Sequence, residues 1–80
     1  MWIESHKGDW ANTDQLAAIQ LGGIALWGSA PNAKGNAWTI LGTFQSPEEA
    51  KIALGNIMRA MNTGEYEALE YDEWSDTEEM

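Results

Sequence analysis

The chain has 80 residues, no cysteine and a formal net charge of −9. This length allows one small domain with a thin core, and the missing cysteines exclude disulfides and thiolate metal sites. No apolar run approaches the roughly 20 residues of a membrane span and the N-terminus lacks a signal-peptide layout, so we expect a cytoplasmic protein with no membrane partner.

The negative charge is concentrated near the C-terminus. Residues 65–80 contain eight acidic residues and no basic one, whereas residues 1–64 contain five acidic and four basic residues. We therefore predict a single domain at residues 1–64 followed by an acidic tail at residues 65–80. The chain offers no basic patch for direct binding of nucleic acid, and the expected partner of such a tail is a basic protein surface.

The first half of the chain predicts a strand and two loops around a hairpin. We expect residues 2–5 to form a short first strand. The polar residues 6–14 and the glycine-rich residues 28–35 are typical of loops.

The hairpin is indicated by two apolar runs on either side of Gly22-Gly23, which we expect to be its two-residue turn. In that register Leu21 faces Ile24 on the aliphatic side of the sheet, while Trp27 points to the other side.

A strand at residues 37–44 follows. Trp38, Ile40 and Phe44 share one face of this strand, which we expect to lie against a helix, so that Trp38 belongs to the core. Gly42 on the same face marks either a gap or a point of close approach.

The helix has clear start and stop signals. Ser46 is the predicted N-cap, Pro47 the first helical residue, and Glu49 completes a Ser-x-x-Glu capping box. Apolar residues then recur at helical spacing to about Met61, and Gly64 has C-cap chemistry.

Together these elements predict an α+β fold, an antiparallel sheet of three or four strands with one helix packed across one face. The second face of the sheet carries Trp27. An apolar patch there is either covered by Trp10 or the tail, or it is a protein interface, a self-association surface or a place where a base stacks.

Two short motifs in this order resemble those of small uncharacterised proteins of Gram-positive bacteria and their phages. Those proteins begin with Trp-Ile-x-Ser, continue through an apolar hairpin to Leu-Gly-x-aromatic-x-Ser, and then open a helix with Glu and Ala. The matching residues here run from Trp2 to Ser5 and from Leu41 to Ala50, and the likeness spans residues 1–61 without residues 7–14. It implies a β-rich fold with a single helix and a mobile-element origin, and it implies no activity.

Residue types for catalysis are sparse. His6 is the only histidine and Arg59 the only arginine, and His6 lies in a polar loop where a solvated side chain is expected. The tail acids lack the spacing of a calcium loop, and the glycine-rich stretches lack the Gly-Lys-Ser/Thr ending of a phosphate loop. We therefore expect no enzyme activity, no metal site and no cofactor.

The tail mixes acids with aromatic residues, and two interpretations stay open. It is either a disordered, solvated terminus or a recognition segment whose carboxylates occupy the arginines and lysines that otherwise hold phosphates. In the second interpretation the partner-binding residues are Trp27, Glu67, Glu70, Tyr71, Asp72, Glu73, Trp74 and Asp76, with the aromatic residues supplying apolar contact.

The favoured hypothesis is a non-enzymatic binding module, encoded by a phage or mobile element, that inhibits a basic nucleic-acid-handling host protein by acidic mimicry. The target would be a nuclease or defence complex, since inhibitors of CRISPR effectors (anti-CRISPR or anti-defence proteins) are often small and acidic. One alternative is a homodimer or larger oligomer that binds a small ligand or sequesters a nucleotide around Trp27 and Trp38. Another is an acidic accessory subunit whose tail docks on its own complex.

Overall fold

The computed structural model describes residues 1–32 and 35–77 and confirms the α+β class. Its elements, in chain order, are β1 (Trp2–Glu4), β2 (Trp10–Asn12), a 3₁₀ turn (Thr13–Gln15), β3 (Ala18–Gly22), β4 (Ala25–Asn32), β5 (Gly35–Thr43), α1 (Pro47–Thr63), β6 (Ala68–Leu69) and α2 (Tyr71–Trp74). Both predicted loops contain strand residues: β2 occupies three of residues 6–14, and β4 and β5 extend through most of residues 28–35. Residues 33 and 34 of the second loop and residues 78–80 of the tail lie outside the described part.

The strands form two sheets instead of the single sheet that the sequence predicted. One three-stranded sheet has the order β2-β1-β6 and the other the order β3-β4-β5. β1 pairs antiparallel with β2 and parallel with β6, so the last strand lies directly beside the first. The second sheet was not expected because its edge strands, β2 and β6, lie in the predicted loop at residues 6–14 and in the predicted tail.

The hairpin of β3 and β4 is present, but its turn lies one residue later than predicted. Leu21 pairs with Leu26, which makes Gly23 and Ile24 the turn residues. Gly23 has a φ of 62° whereas Ile24 has a negative φ, the pattern of a type II′ turn with glycine at its first central position. The predicted pairing of Leu21 with Ile24 is therefore wrong, and Ile24 is exposed at the tip.

A bulge in β5 reverses the predicted orientation of Trp38. β4 pairs with Ile40 and with Gly42 but skips Leu41 between them. One extra residue shifts the in-and-out alternation of side chains, so Leu41 is buried in the core while Trp38 is 46% exposed. The prediction of Trp38 as a core residue is wrong for this reason.

Helix α1 begins at Pro47 as predicted and ends at Thr63, two residues beyond the predicted Met61 and directly before the predicted cap Gly64. The Ser46 side chain accepts a hydrogen bond from Glu49 N at 3.2 Å, and Gly64 closes the helix in the left-handed conformation with a φ of 68°. The Glu49 carboxylate reaches back one residue further than in a standard capping box, to Gln45 N at 3.1 Å.

The core combines both ends of the chain with the helix and the second sheet. Its buried cluster consists of Ile3, Leu26, Leu41, Ala53, Ile57, Ala60, Leu69 and Trp74. Leu69 and Trp74 belong to the stretch that was expected to be a tail. The folded unit therefore continues past residue 64, and the predicted boundary does not separate the acidic residues from the core.

Candidate functional site

Strand β1 holds the acidic C-terminal segment, residues 65–77, against the body of the protein. Trp2 N donates to Glu67 O at 2.8 Å, and β6 then runs parallel to β1. Two residues after β6, Tyr71 N donates to Glu4 Oε1 at 3.0 Å. These hydrogen bonds hold the backbone of the acidic segment in place against β1.

Trp74 is the main apolar anchor of this segment. Its side chain is fully buried, and its Nε1 donates to Glu4 O at 2.8 Å. The indole packs edge-on against Tyr71 and Phe44, with ring centroids 5.0 and 6.2 Å apart. A Cβ at Gly42 would lie only 3.0 Å from the indole Cη2, so the predicted close approach at Gly42 is confirmed, with Trp74 as the approaching group.

Helix α1 contributes a polar contact to the same segment. Asn56 Nδ2 donates to the backbone oxygens of Trp74 and Asp76 at 3.1 and 3.0 Å. Because carbonyls at the end of a helix lack intrahelical partners, this side chain satisfies the Trp74 carbonyl at the end of α2, together with the Asp76 carbonyl beyond the helix. The segment is therefore held by α1 as well as by β1.

The acidic side chains of the segment face solvent. We call the following exposed residues the acidic surface: Glu65, Glu67, Glu70, Asp72, Glu73 and Asp76. Within residues 1–32 and 35–77 the first five of them form no ion pair, and the N-terminal ammonium pairs elsewhere, with Asp14 at 3.8 Å. The buried Leu69 and Trp74 alternate with these acids along the chain. The same short segment therefore packs into the core and exposes its carboxylates to solvent.

The predicted partner-binding residues of the tail divide into exposed acids and packed aromatic rings. The five predicted acids are all part of the acidic surface, while Tyr71 is partly buried. The predicted role of Trp74 as an apolar contact for a partner is wrong, because its indole is fully buried beneath the segment.

Trp27 lies away from the acidic surface. It pairs with Ile40, and its indole covers Gly22, where a Cβ would lie 3.1 Å from Trp27 Nε1. The preceding residue, Leu26, points into the core, so Trp27 faces the side of the sheet opposite to Trp74. The structure therefore does not bring Trp27 and the tail residues into a single site.

Tyr66 is an exposed aromatic residue of the segment that the predicted site omitted. Its side chain is 45% exposed and lines a cleft of about 260 Å³ together with Arg59, Glu65 and Glu73. The tail has no regular apolar spacing, and for that reason its sequence did not indicate which aromatic ring is buried and which is available.

Other site chemistry is limited in the described residues. No group of histidine, aspartate and glutamate side chains there could hold a metal ion. The exposed His6 ring lies 6.5 Å from the Tyr71 ring, measured between centroids. No helix of the described part is long and apolar enough to cross a membrane.

The chain matches no family model, no curated protein and no solved structure.

Proposed function

We propose that this chain is a non-enzymatic binding module that uses its acidic surface to occupy a basic surface of another protein. The supporting observation is that Leu69 and Trp74 are buried in the core while the carboxylates around them are exposed. A partner thus meets carboxylates on a backbone that is already ordered, and binding costs less conformational entropy than it would with a disordered tail.

The partner that fits this surface is a protein whose arginines and lysines bind nucleic-acid phosphates. Carboxylates form charge-assisted hydrogen bonds with both residue types, and a net charge of −9 steers the chain toward a positive surface. With these cations occupied, nucleic acid is excluded and the partner is inhibited. Tyr66 supplies apolar contact beside the charges. The resemblance to proteins of bacteria and phages favours a nuclease or defence complex as the target.

A pair of isosteric substitutions removes charge from the acidic surface without altering the core. Glu67→Gln and Asp72→Asn are suitable because neither side chain takes part in a hydrogen bond or ion pair within the described part of the chain. Asp9→Asn with Glu48→Gln is the matched control, since it neutralises two exposed acids outside the C-terminal segment.

The test is affinity capture from host lysate with the full chain, followed by binding measurements on the purified partner. We expect a nucleic-acid-binding protein that is released by duplex nucleic acid and by high salt. An exposed ion pair contributes about 0.2–1 kcal/mol, so the acidic-surface variant is expected to bind roughly 2- to 30-fold more weakly and the control variant unchanged. Equal binding by the two variants, or binding insensitive to salt, would contradict the proposal.

A second candidate function is sequestration of a small ligand or nucleotide by an oligomer. Its support is that Trp27 and Trp38 share one face of the β3-β4-β5 sheet, where a base can stack. Titration of the full chain with nucleotides, followed by tryptophan fluorescence, tests this function. A response to nucleotide but not to salt favours it, and an unchanged spectrum excludes it.

A further inference from the structure

The β3-β4-β5 sheet is uncharged although the chain is strongly acidic. No residue of its three strands is acidic or basic. On the face turned away from α1, Trp27 and Ile40 are partly buried, and Trp38 is 46% exposed. Trp38 is thus the exposed part of an apolar face.

Strand β5 is an open edge of this sheet. On the side away from β4, the body of the protein contacts its backbone at Leu41, whose carbonyl accepts from His6 N at 2.8 Å. Residues 35–40 have no backbone partner on that side in the described part of the chain. Natural edge strands are commonly protected by charged residues, proline or bulges. Residues 35–40 contain no charged residue and no proline, and the bulge of β5 lies beyond them at Leu41.

We infer that β5 pairs antiparallel with β5 of a second copy and joins the two β3-β4-β5 sheets into one continuous sheet. Antiparallel pairing of a strand with itself about a two-fold axis is self-complementary, because each copy supplies the same donors and acceptors. The axis is perpendicular to the sheet, so Trp38 of both copies lies on the same face. Contact between these indoles and the neighbouring Ile40 side chains removes apolar area from water.

The charge distribution favours a second copy over a basic partner at this edge. The strand brings no charge into the contact, so pairing does not place like charges against each other there. A basic partner gains nothing from an uncharged strand and is drawn to the acidic surface instead. The remaining repulsion between two chains of net charge −9 is long-range and screened by salt. The dimer therefore tightens as salt is raised, which is the opposite of binding to a basic partner.

Sedimentation velocity of the full chain at increasing protein concentration, in low and high salt, tests the inference. The mass is expected to rise from 8.8 kDa toward twice that value, and at lower protein concentration when salt is high. Trp38→Glu is expected to weaken the dimer at least about tenfold, because tryptophan is enriched among the few central interface residues that carry most of the binding energy. Trp2→Glu is the matched control: Trp2 is 48% exposed but lies in the other sheet, and this variant is expected to dimerise like the full chain.

A full chain that sediments as a monomer under all conditions overturns the inference, and so does a folded Trp38→Glu variant that dimerises unchanged. If circular dichroism shows that Trp38→Glu is unfolded, hydrogen exchange of the unsubstituted chain is used instead to test whether β5 pairs with a second copy. Slower exchange of residues 35–40 at high protein concentration supports strand pairing, and exchange independent of concentration overturns it.

Discussion

Trp74→Ala removes the indole that joins the acidic segment to the core. The side chain is fully buried, contacts the rings of Tyr71 and Phe44, and donates a hydrogen bond to Glu4 O. Its removal leaves a cavity between β5 and α2 and an unpaired carbonyl on β1. We expect the segment to detach and the whole fold to lose stability.

The size of the effect follows from burial. Truncation of a buried tryptophan to alanine costs about 3–5 kcal/mol, and the unpaired Glu4 carbonyl adds about 1 kcal/mol. A chain of 80 residues has a total free energy of unfolding of roughly 4–12 kcal/mol. The substitution thus removes a third or more of the stability. Trp74→Phe keeps most of the packing but lacks the N–H, and its cost is expected to be about 1–2 kcal/mol.

Urea unfolding followed by far-UV circular dichroism measures these differences. Trp2→Ala is the control, because Trp2 is about half exposed, and its cost is expected to stay near 1 kcal/mol or below. If Trp74→Ala costs no more than Trp2→Ala, the indole is not a structural anchor and the reasoning fails.

Two glycine substitutions test the packing, one at a crowded position and one at an open position. Gly42→Ala is expected to destabilise by about 1–3 kcal/mol, because the new Cβ lies 3.0 Å from Trp74 Cη2 and 3.1 Å from Tyr71 Cε1. Gly55→Ala is expected to stabilise by about 0.5–1 kcal/mol, because Gly55 is an exposed position within α1 where a Cβ meets no atom within 4 Å. The same urea experiments measure both, and a neutral Gly42→Ala or a destabilising Gly55→Ala would contradict the packing described here.

The elements that could be predicted are those with local causes. The ends of α1 could be predicted because its capping residues, Ser46 and Gly64, lie directly beside the helix in the sequence. The β3–β4 hairpin could be inferred from its glycines, but the position of its turn could not, since Gly22-Gly23 and Gly23-Ile24 both provide glycine at the first turn position.

The features that could not be predicted depend on contacts between distant residues. β1 pairs with β6 across most of the chain, and no local pattern marks a two-residue strand such as Ala68–Leu69. The bulge at Leu41 inverts a face, and the adjacent Gly42 is compatible either with a bulge or with close approach of another group, so the sequence could not distinguish the two. In the acidic segment, the charges were assigned from composition alone, whereas the burial of Trp74 depends on the gap at Gly42, far away in sequence.

Hydrogen exchange of the full chain tests the central claim, an acidic surface mounted on an ordered backbone, most directly. The Trp74 and Ser75 amides donate to Glu70 O and Tyr71 O, and the Trp2 amide donates to Glu67 O. We expect exchange at Trp2 and Trp74 to be as slow as in α1, because opening the segment exposes the core. Exchange of residues 68–75 at the rate of an unstructured peptide, with α1 still protected, would show that the acids belong to a free tail and would contradict the account.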